Sequence, residues 1–281
     1  MNRLSTEKRA SILRSLCDGA SVSATARVTG VSKVTVLKLL ADIGPVCAEF
    51  QRKALNDLPC RAIQCDEIWS FVAKKEKHAT RDDKGRGQGD VWTWTAICAD
   101  TKLVPCWHPG TRDANAAALF IEDLASRLKH RIQLTTDGHK AYLSAVEGAF
   151  GWNGVDYAML MKVYGPTADA AHRYSPPEVL STQAAWVMGD PNPKQVSTSY
   201  AERQNLTMRT NLRRLTRLTN AFSKKIENHG HALALYFMHY NFCRPHMTLT
   251  KAKRGIKQTP AMAAGVADHV WSLEEVVGLL G

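Results

Sequence analysis

Three carboxylates stand where an acid is unusual. Asp66 interrupts an apolar and aromatic run, Ile63-Gln64-Cys65-Asp66-Glu67-Ile68-Trp69. A charge inside a central strand costs free energy unless it is paired or binds a cation. Asp137 closes a second run that begins at Ile132 and stops at Gly138. That places it at the carboxyl end of a strand, where ligands gather in open α/β sheets. Glu202 falls in the first turn of a helix expected to start near Ser199. Carboxylates drawn from separate elements suit hard divalent ions such as Mg²⁺. Two such ions about 3.5–4 Å apart can activate a water and steady a leaving oxyanion, the requirement of phosphodiester cleavage. Taken singly, Asp137-Gly138 also reads as a turn, and Glu202 as a favourable charge at a helix N-terminus. Glu67 should point to the opposite sheet face from Asp66, and Asp100 fits a turn. Neither is counted with the three.

The stretch after Glu202 adds charge of one sign. Residues 203–225 hold Arg203, Arg209, Arg213, Arg214, Arg217, Lys224 and Lys225 and no acid. Wound as one long helix, they would put Glu202, Arg209, Arg213, Arg217 and Lys224 on one face and Leu212, Leu215, Leu218 and Phe222 on the other. Such a helix would pack by its leucines and offer a carboxylate followed by a basic stripe that suits phosphates. A merely solvated face would usually mix signs.

The surrounding pattern supplies elements to hold these residues. Ala62–Val72, Val91–Ala99 and Leu103–Trp107 read as an antiparallel meander, with a polar, glycine-rich loop over 74–90. Helical spacing then covers 113–129, a strand 132–136, a helix 139–150 and a strand 157–163. Three strands followed by alternating helices and strands predict an α/β fold of the ribonuclease H-like kind, a mixed sheet with helices on both faces. Residues 165–196 carry five prolines (Pro166, Pro176, Pro177, Pro191 and Pro193) without periodicity and read as an insertion or long loop.

Ahead of the sheet the chain reads as short helices. Ala26, Gly30 and Val36 place a small residue, a turn glycine and an apolar anchor at helix-turn-helix spacing. The second helix would expose Lys33, Thr35 and Lys38, with lysines for phosphates and a threonine for a base edge. A plain three-helix bundle is the alternative. The organisation expected is a helix-turn-helix unit over 1–44, a linker helix over 45–60, the α/β domain over 61–250 with its insertion at about 165–196, and a C-terminal tail over 251–281.

Composition agrees with a polyanionic partner. The formal charge is +11, which favours nucleic acid. Seven cysteines include no Cys-x-x-Cys pair, so a zinc site is unsupported. No stretch has the roughly 20 apolar residues of a membrane helix, and the N-terminus lacks an export signal. A reducing, cytoplasmic setting is expected.

Two segments, Asp66-Glu67-Ile68-Trp69-Ser70-Phe71-Val72 and Thr136-Asp137-Gly138-His139-Lys140-Ala141-Tyr142, resemble the first two acidic motifs of the insertion-sequence-one family of bacterial transposases. Glu202-Arg203-Gln204-Asn205-Leu206, with Arg209, Arg213-Arg214-Leu215-Thr216-Arg217 and Phe222-Ser223-Lys224, resembles the third. Asn241, Arg244, Pro245 and His246 resemble a tail motif of related transposases and integrases, read here as packing a C-terminal helix. The resemblance implies a DDE catalytic domain using Mg²⁺ or Mn²⁺, two ions held by Asp66, Asp137 and Glu202. It implies cleavage at transposon ends, transfer of the 3′-hydroxyl into target double-stranded DNA, and His139 and Lys140 beside the scissile phosphate. It also implies a homo-oligomer that pairs two ends in a bacterial, nucleoid-associated complex. Unlike many family members, the chain lacks a Cys-rich element before the helix-turn-helix. A structure-specific nuclease of the same fold and a non-catalytic DNA-binding regulator are the alternatives.

Overall fold

The computed structural model describes residues 4–151, 154–165 and 179–281. Three helices open the chain: α1 (Thr6–Cys17), α2 (Val22–Thr29) and α3 (Lys33–Ala54). Ser5, Ser21 and Ser32 cap them, each side chain accepting from a backbone N–H of the first turn. Gly30 ends α2 in the left-handed region, at φ 68°, a conformation glycine adopts without strain. The sequence reading split α3 and a linker helix near Pro45, but the structure has one helix of 22 residues. Its buried face (Val36, Leu40, Ile43, Cys47 and Gln51) runs straight across Gly44-Pro45, so tertiary packing outweighs the local cost of proline.

The sheet follows. Strand β1 is Ala62–Val72, a short helix α4 is Arg81–Gly85, β2 is Gly89–Cys98 and β3 is Trp107–Gly110. Then come α5 (Ala114–Ser126), β4 (Ile132–Asp137), α6 (Ala141–Phe150), β5 (Val155–Tyr164) and β6 (Val179–Met188). The six strands lie in the order β3-β2-β1-β4-β5-β6. The first three form the antiparallel meander, β4 and β5 join in parallel, and β6 returns antiparallel to β5. The third strand pairs at 107–110 rather than 103–107. Residues 103–106 stay beside β2, with Cys98 N–H donating to the Leu103 carbonyl at 2.8 Å.

Two segments that read as loops hold regular structure. The 74–90 segment contains α4, which is held by a capping box between Thr80 and Asp83. The supposed insertion at 165–196 contains β6, and its residues 166–178 lie outside the described residues.

Helices cover both faces. Successive side chains of a strand alternate, and on β1 Gln64 and Asp66 meet α7 (Ser199–Asn211) while Glu67 meets Tyr142 of α6. Trp107 stacks on Phe237 of α8 (Ile226–Met238) on the α7 side. Trp94 packs on Phe120 and Tyr142 on the α5–α6 side.

Past α8, a π-turn at His239–Cys243 leads into α9 (Met247–Ala252), α10 (Pro260–Ala263) and α11 (Leu273–Gly278). Asn241 is fully buried. Its Oδ1 accepts from Val104 N–H at 3.0 Å and its Nδ2 donates to the Val104 carbonyl at 2.9 Å. The side chain thus completes a backbone edge beside the sheet, which agrees with the packing role read from the tail motif. All seven cysteines are free, and no helix among the described residues is long and apolar enough to cross a membrane.

The N-terminal helices share one buried cluster with the sheet and with α8 and α11. α3 and α8 approach closely at Gly44, where an added Cβ would lie 2.4 Å from His231 Cβ and 2.6 Å from its Cα. We predict that Gly44→Ala forces α3 off α8 and costs about 1–3 kcal/mol in urea unfolding. A variant as stable as the parent would contradict this packing.

Candidate active site

The ladder between β1 and β4 is short. It pairs Ala62–Gln64 with Gln133–Thr135 and then stops. Beyond that point the strands part, and the next inward-facing acids, Asp66 and Asp137, look into the opening. Their carboxylates and that of Glu67 have ligand atoms all within 4.8 Å of one another. The opening is the floor of a cavity of about 800 Å³ lined also by Arg112, His139, Lys140, Lys162, Thr198 and Glu202. The sequence-read acids Asp66, Asp137 and Glu202 therefore share one cleft, with His139 and Lys140 on its rim.

Glu202 joins the cleft from the opposite wall. Gln64 fixes the start of α7 by accepting from the Tyr200 and Ala201 N–H groups at 2.7 and 3.3 Å. This puts Glu202, one turn on, beside β5, where it pairs with Lys162 and accepts from Thr198 Oγ1 at 2.5 Å. Its carboxylate lies outside the 4.8 Å cluster.

Glu67 corrects the sequence reading. Its side chain does leave the opposite face, and is 1% exposed. Yet it curls toward the same opening, held by Arg112 Nε at 2.6 Å and by the Tyr142 hydroxyl at 3.1 Å. Arg112 is the residue sequence reasoning missed most clearly. It lies over the Trp92 ring at 4.7 Å, grips Glu67 and reaches to 3.8 Å from Asp137. Lys162 was missed too. Each is a lone cation in an ordinary stretch, and only the fold gives it meaning. Asn205 belongs to the third acidic motif. It donates to Asp66 Oδ2 at 2.8 Å, and its own Oδ1 is buried without a partner.

Electrostatics follow from crowding. Burial, then the charges of Glu67 and Asp137, push Asp66 up to about 7, against a smaller lowering by the Glu67 N–H bonded to it. Burial and Asp137 also raise Glu67, and Arg112 and Tyr142 oppose them. Burial lowers His139, helped by the Arg112 charge. His139 stacks on Trp94 at 5.7 Å, and its Nε2 is buried without a partner. Carboxylates crowded this closely offer a donor set that fits a divalent cation, because the ion removes their mutual repulsion.

The remaining sequence-read cations scatter. The long basic helix is not formed. α7 ends at Asn211, Leu212 is extended, and residues 213–215 form a short 3₁₀ turn. Side-chain bonds enforce the break, because Arg209 Nη1 donates to the Leu215 carbonyl at 3.0 Å and Thr216 Oγ1 to the Arg209 carbonyl at 3.0 Å. Arg209 and Arg217 instead line a groove beside Trp69 and Phe71, and Leu218 is 82% exposed rather than packed. Arg213 faces Lys33 across a cavity of about 760 Å³ between the N-terminal helices and the 212–224 segment. Arg203 and Lys38 are exposed outside these cavities, and Thr35 Oγ1 lies 2.8 Å from Ser32 Oγ.

The raised Asp66 sets a pH dependence. Between its ordinary value of 3.8 and about 7, the folded protein keeps a proton that the unfolded chain releases, so stability falls as pH rises through this window. At about 1.4 kcal/mol per unit, the penalty is of order a few kcal/mol above pH 7. Asp66→Asn should therefore stabilise the metal-free protein at pH 8 and leave it nearly unchanged at pH 4, read by urea unfolding at both. An equal effect at the two values would contradict the crowding.

The chain matches no protein-family profile and no curated protein. Two solved structures that match the chain in part are a Mos1 transposase paired-end complex with the left transposon end and the Mos1 strand transfer complex. The first is 13% identical, with a TM-score of 0.26 over 56% of this chain and 59% of that one. The second is 12% identical, with a TM-score of 0.25 over 84% of this chain and 77% of that one. The chain thus spans 59% of the length of the first of these.

Proposed function

We propose that the protein is a DDE-type transposase, with Asp66, Asp137 and Glu202 as its metal-binding catalytic carboxylates and DNA ends as its substrate. The observation that carries this is the meeting of Asp66 and Asp137 where β1 and β4 part, with Glu202 entering the same cleft from α7. Mg²⁺ or Mn²⁺, two ions on this reading, would supply an activated water or 3′-hydroxyl and neutralise the leaving oxyanion.

The protein's own groups then have distinct tasks. Asp66 and Asp137 offer oxygens from two strands whose spacing the sheet fixes. Asn205 orients Asp66 through its 2.8 Å bond. The backbone N–H of His139, which donates to Asp137 Oδ1 at 3.1 Å, orients Asp137. Arg112 keeps Glu67 neutralised, so that Glu67 supports the cluster without claiming the substrate's place. Lys162 balances Glu202, and Lys140 on the rim suits a phosphate. The partly exposed Arg112 guanidinium lines the same cavity and suits non-bridging phosphate oxygens.

DNA holding is assigned to Lys33, Thr35 and Lys38 of a helix-turn-helix formed by α2 and α3, and to Arg203, Arg209, Arg213 and Arg217. A net charge of +11 supports a polyanionic partner. Pairing two DNA ends calls for a homo-oligomer working on DNA in a bacterial cytoplasm. The resemblance of the three acidic motifs favours the insertion-sequence-one family.

Asp66→Asn, Asp137→Asn and Glu202→Gln should each reduce end cleavage and strand transfer at least about a thousandfold, while gel-shift binding of the ends persists. Full strand transfer by any one variant would remove that residue from the triad. Cleavage without joining by the parent would favour a nuclease of the same fold.

A further inference from the structure

Past Asp66, the side of β1 that faces away from β2 meets no strand of the sheet. Among the described residues, its backbone pairing there is the isolated bridge from Val72 to Ser223. The 212–224 segment runs along this open side, and a groove of about 390 Å³ lies between them. The groove has a floor of aromatic rings. Trp69 and Phe71 are 5.8 Å apart at an interplanar angle of 35°, and Phe71 and Phe222 are 4.6 Å apart at 37°. Trp69, Phe71 and Phe222 are each partly exposed.

Cations border these rings. Lys224 Nζ sits 3.3 Å from the Phe222 centroid and Lys75 Nζ 5.8 Å from that of Trp69. Arg214 donates from Nη1 to Ser223 Oγ at 3.2 Å, and its buried Nη2 has no partner. No carboxylate lines the groove among the described residues. The segment is anchored rather than loose, because buried His229 bridges Ser223 Oγ (2.9 Å) and Ser70 Oγ (3.5 Å).

We infer that this groove binds unpaired nucleotides, stacking a base on the Trp69–Phe71–Phe222 rings while the flanking cations take its phosphates. A polyanion answers the one-signed border, and a flat π-surface answers the row of rings. Single-stranded nucleic acid combines both. An aliphatic ligand would leave the cations unused, and an inorganic anion would leave the rings unused. Location gives the groove a place in the DNA reaction proposed above, on which this part rests. Trp69 is three residues beyond Asp66 on one strand, about 10 Å at strand rise. Odd spacing sends the Trp69 side chain to the opposite sheet face from Asp66, so a bound strand would pass round the open side of β1 between the groove and the reacting phosphate.

The test uses the full chain and two fluorescent probes of equal length and charge, an oligo(dT) and its abasic counterpart, followed by anisotropy. The parent should bind oligo(dT) about tenfold more tightly than the abasic strand. Trp69→Leu and Phe222→Leu should erase that preference while leaving abasic binding within about twofold, and Phe222→Trp should restore it. Asp66→Asn should keep the preference, so failure of the acidic site and failure of the groove are read separately. Equal affinity of the parent for the two probes, which requires no variant to fold, would overturn the inference. So would a preference that survives both leucine substitutions.

Discussion

The site depends on one constraint, the point at which β1 and β4 stop pairing. Up to Gln64 and Thr135 the two strands satisfy each other's backbone. Two residues further, each presents a carboxylate to the gap between them, while β1 stays paired with β2 and β4 with β5. Continued pairing would have brought Asp66 and Asp137 together with no room for a ligand. Earlier parting would have let them drift. The cost of this arrangement is visible in Asp66, held up to about 7 by burial and by its acidic neighbours.

Much of the surrounding structure reads as compensation for that cost. Arg112 answers Glu67 and Asp137, Lys162 answers Glu202, and Asn205 and two backbone N–H groups answer the remaining oxygens. Gln64 both belongs to the last paired step of β1 and holds the first turn of α7. A single residue thus couples where the strands part to where Glu202 enters. Tyr142 and Trp94 shield the opposite face, the first bonding Glu67 and the second stacking on His139.

The sheet and the acids were largely legible because their signals are local. An acid inside an apolar strand and an acid before Gly138 stand out in any window. What was missed depended on partners distant in sequence or on the wrong period. Leu212, Leu215 and the arginines between them keep helical spacing, yet Arg209 and Thr216 bend the backbone by bonding across the break. β6 leaves no pattern in the sequence, because it is an edge strand exposed along most of its length, without buried alternation. Glu67 was set aside by the alternation rule, which holds for the backbone but does not limit where a long side chain ends. Gly44-Pro45 looked like a helix boundary because the packing of α8 against α3 has no local signature.

The central claim is that the parted strands hold divalent cations. Titration of the metal-free protein with Mn²⁺ at pH 8, followed by electron paramagnetic resonance of the free ion, tests it without any DNA. Saturable binding that is lost in Asp66→Asn and Asp137→Asn, with Glu202→Gln weakened, is the predicted result. Binding unchanged in the two aspartate variants would contradict the account.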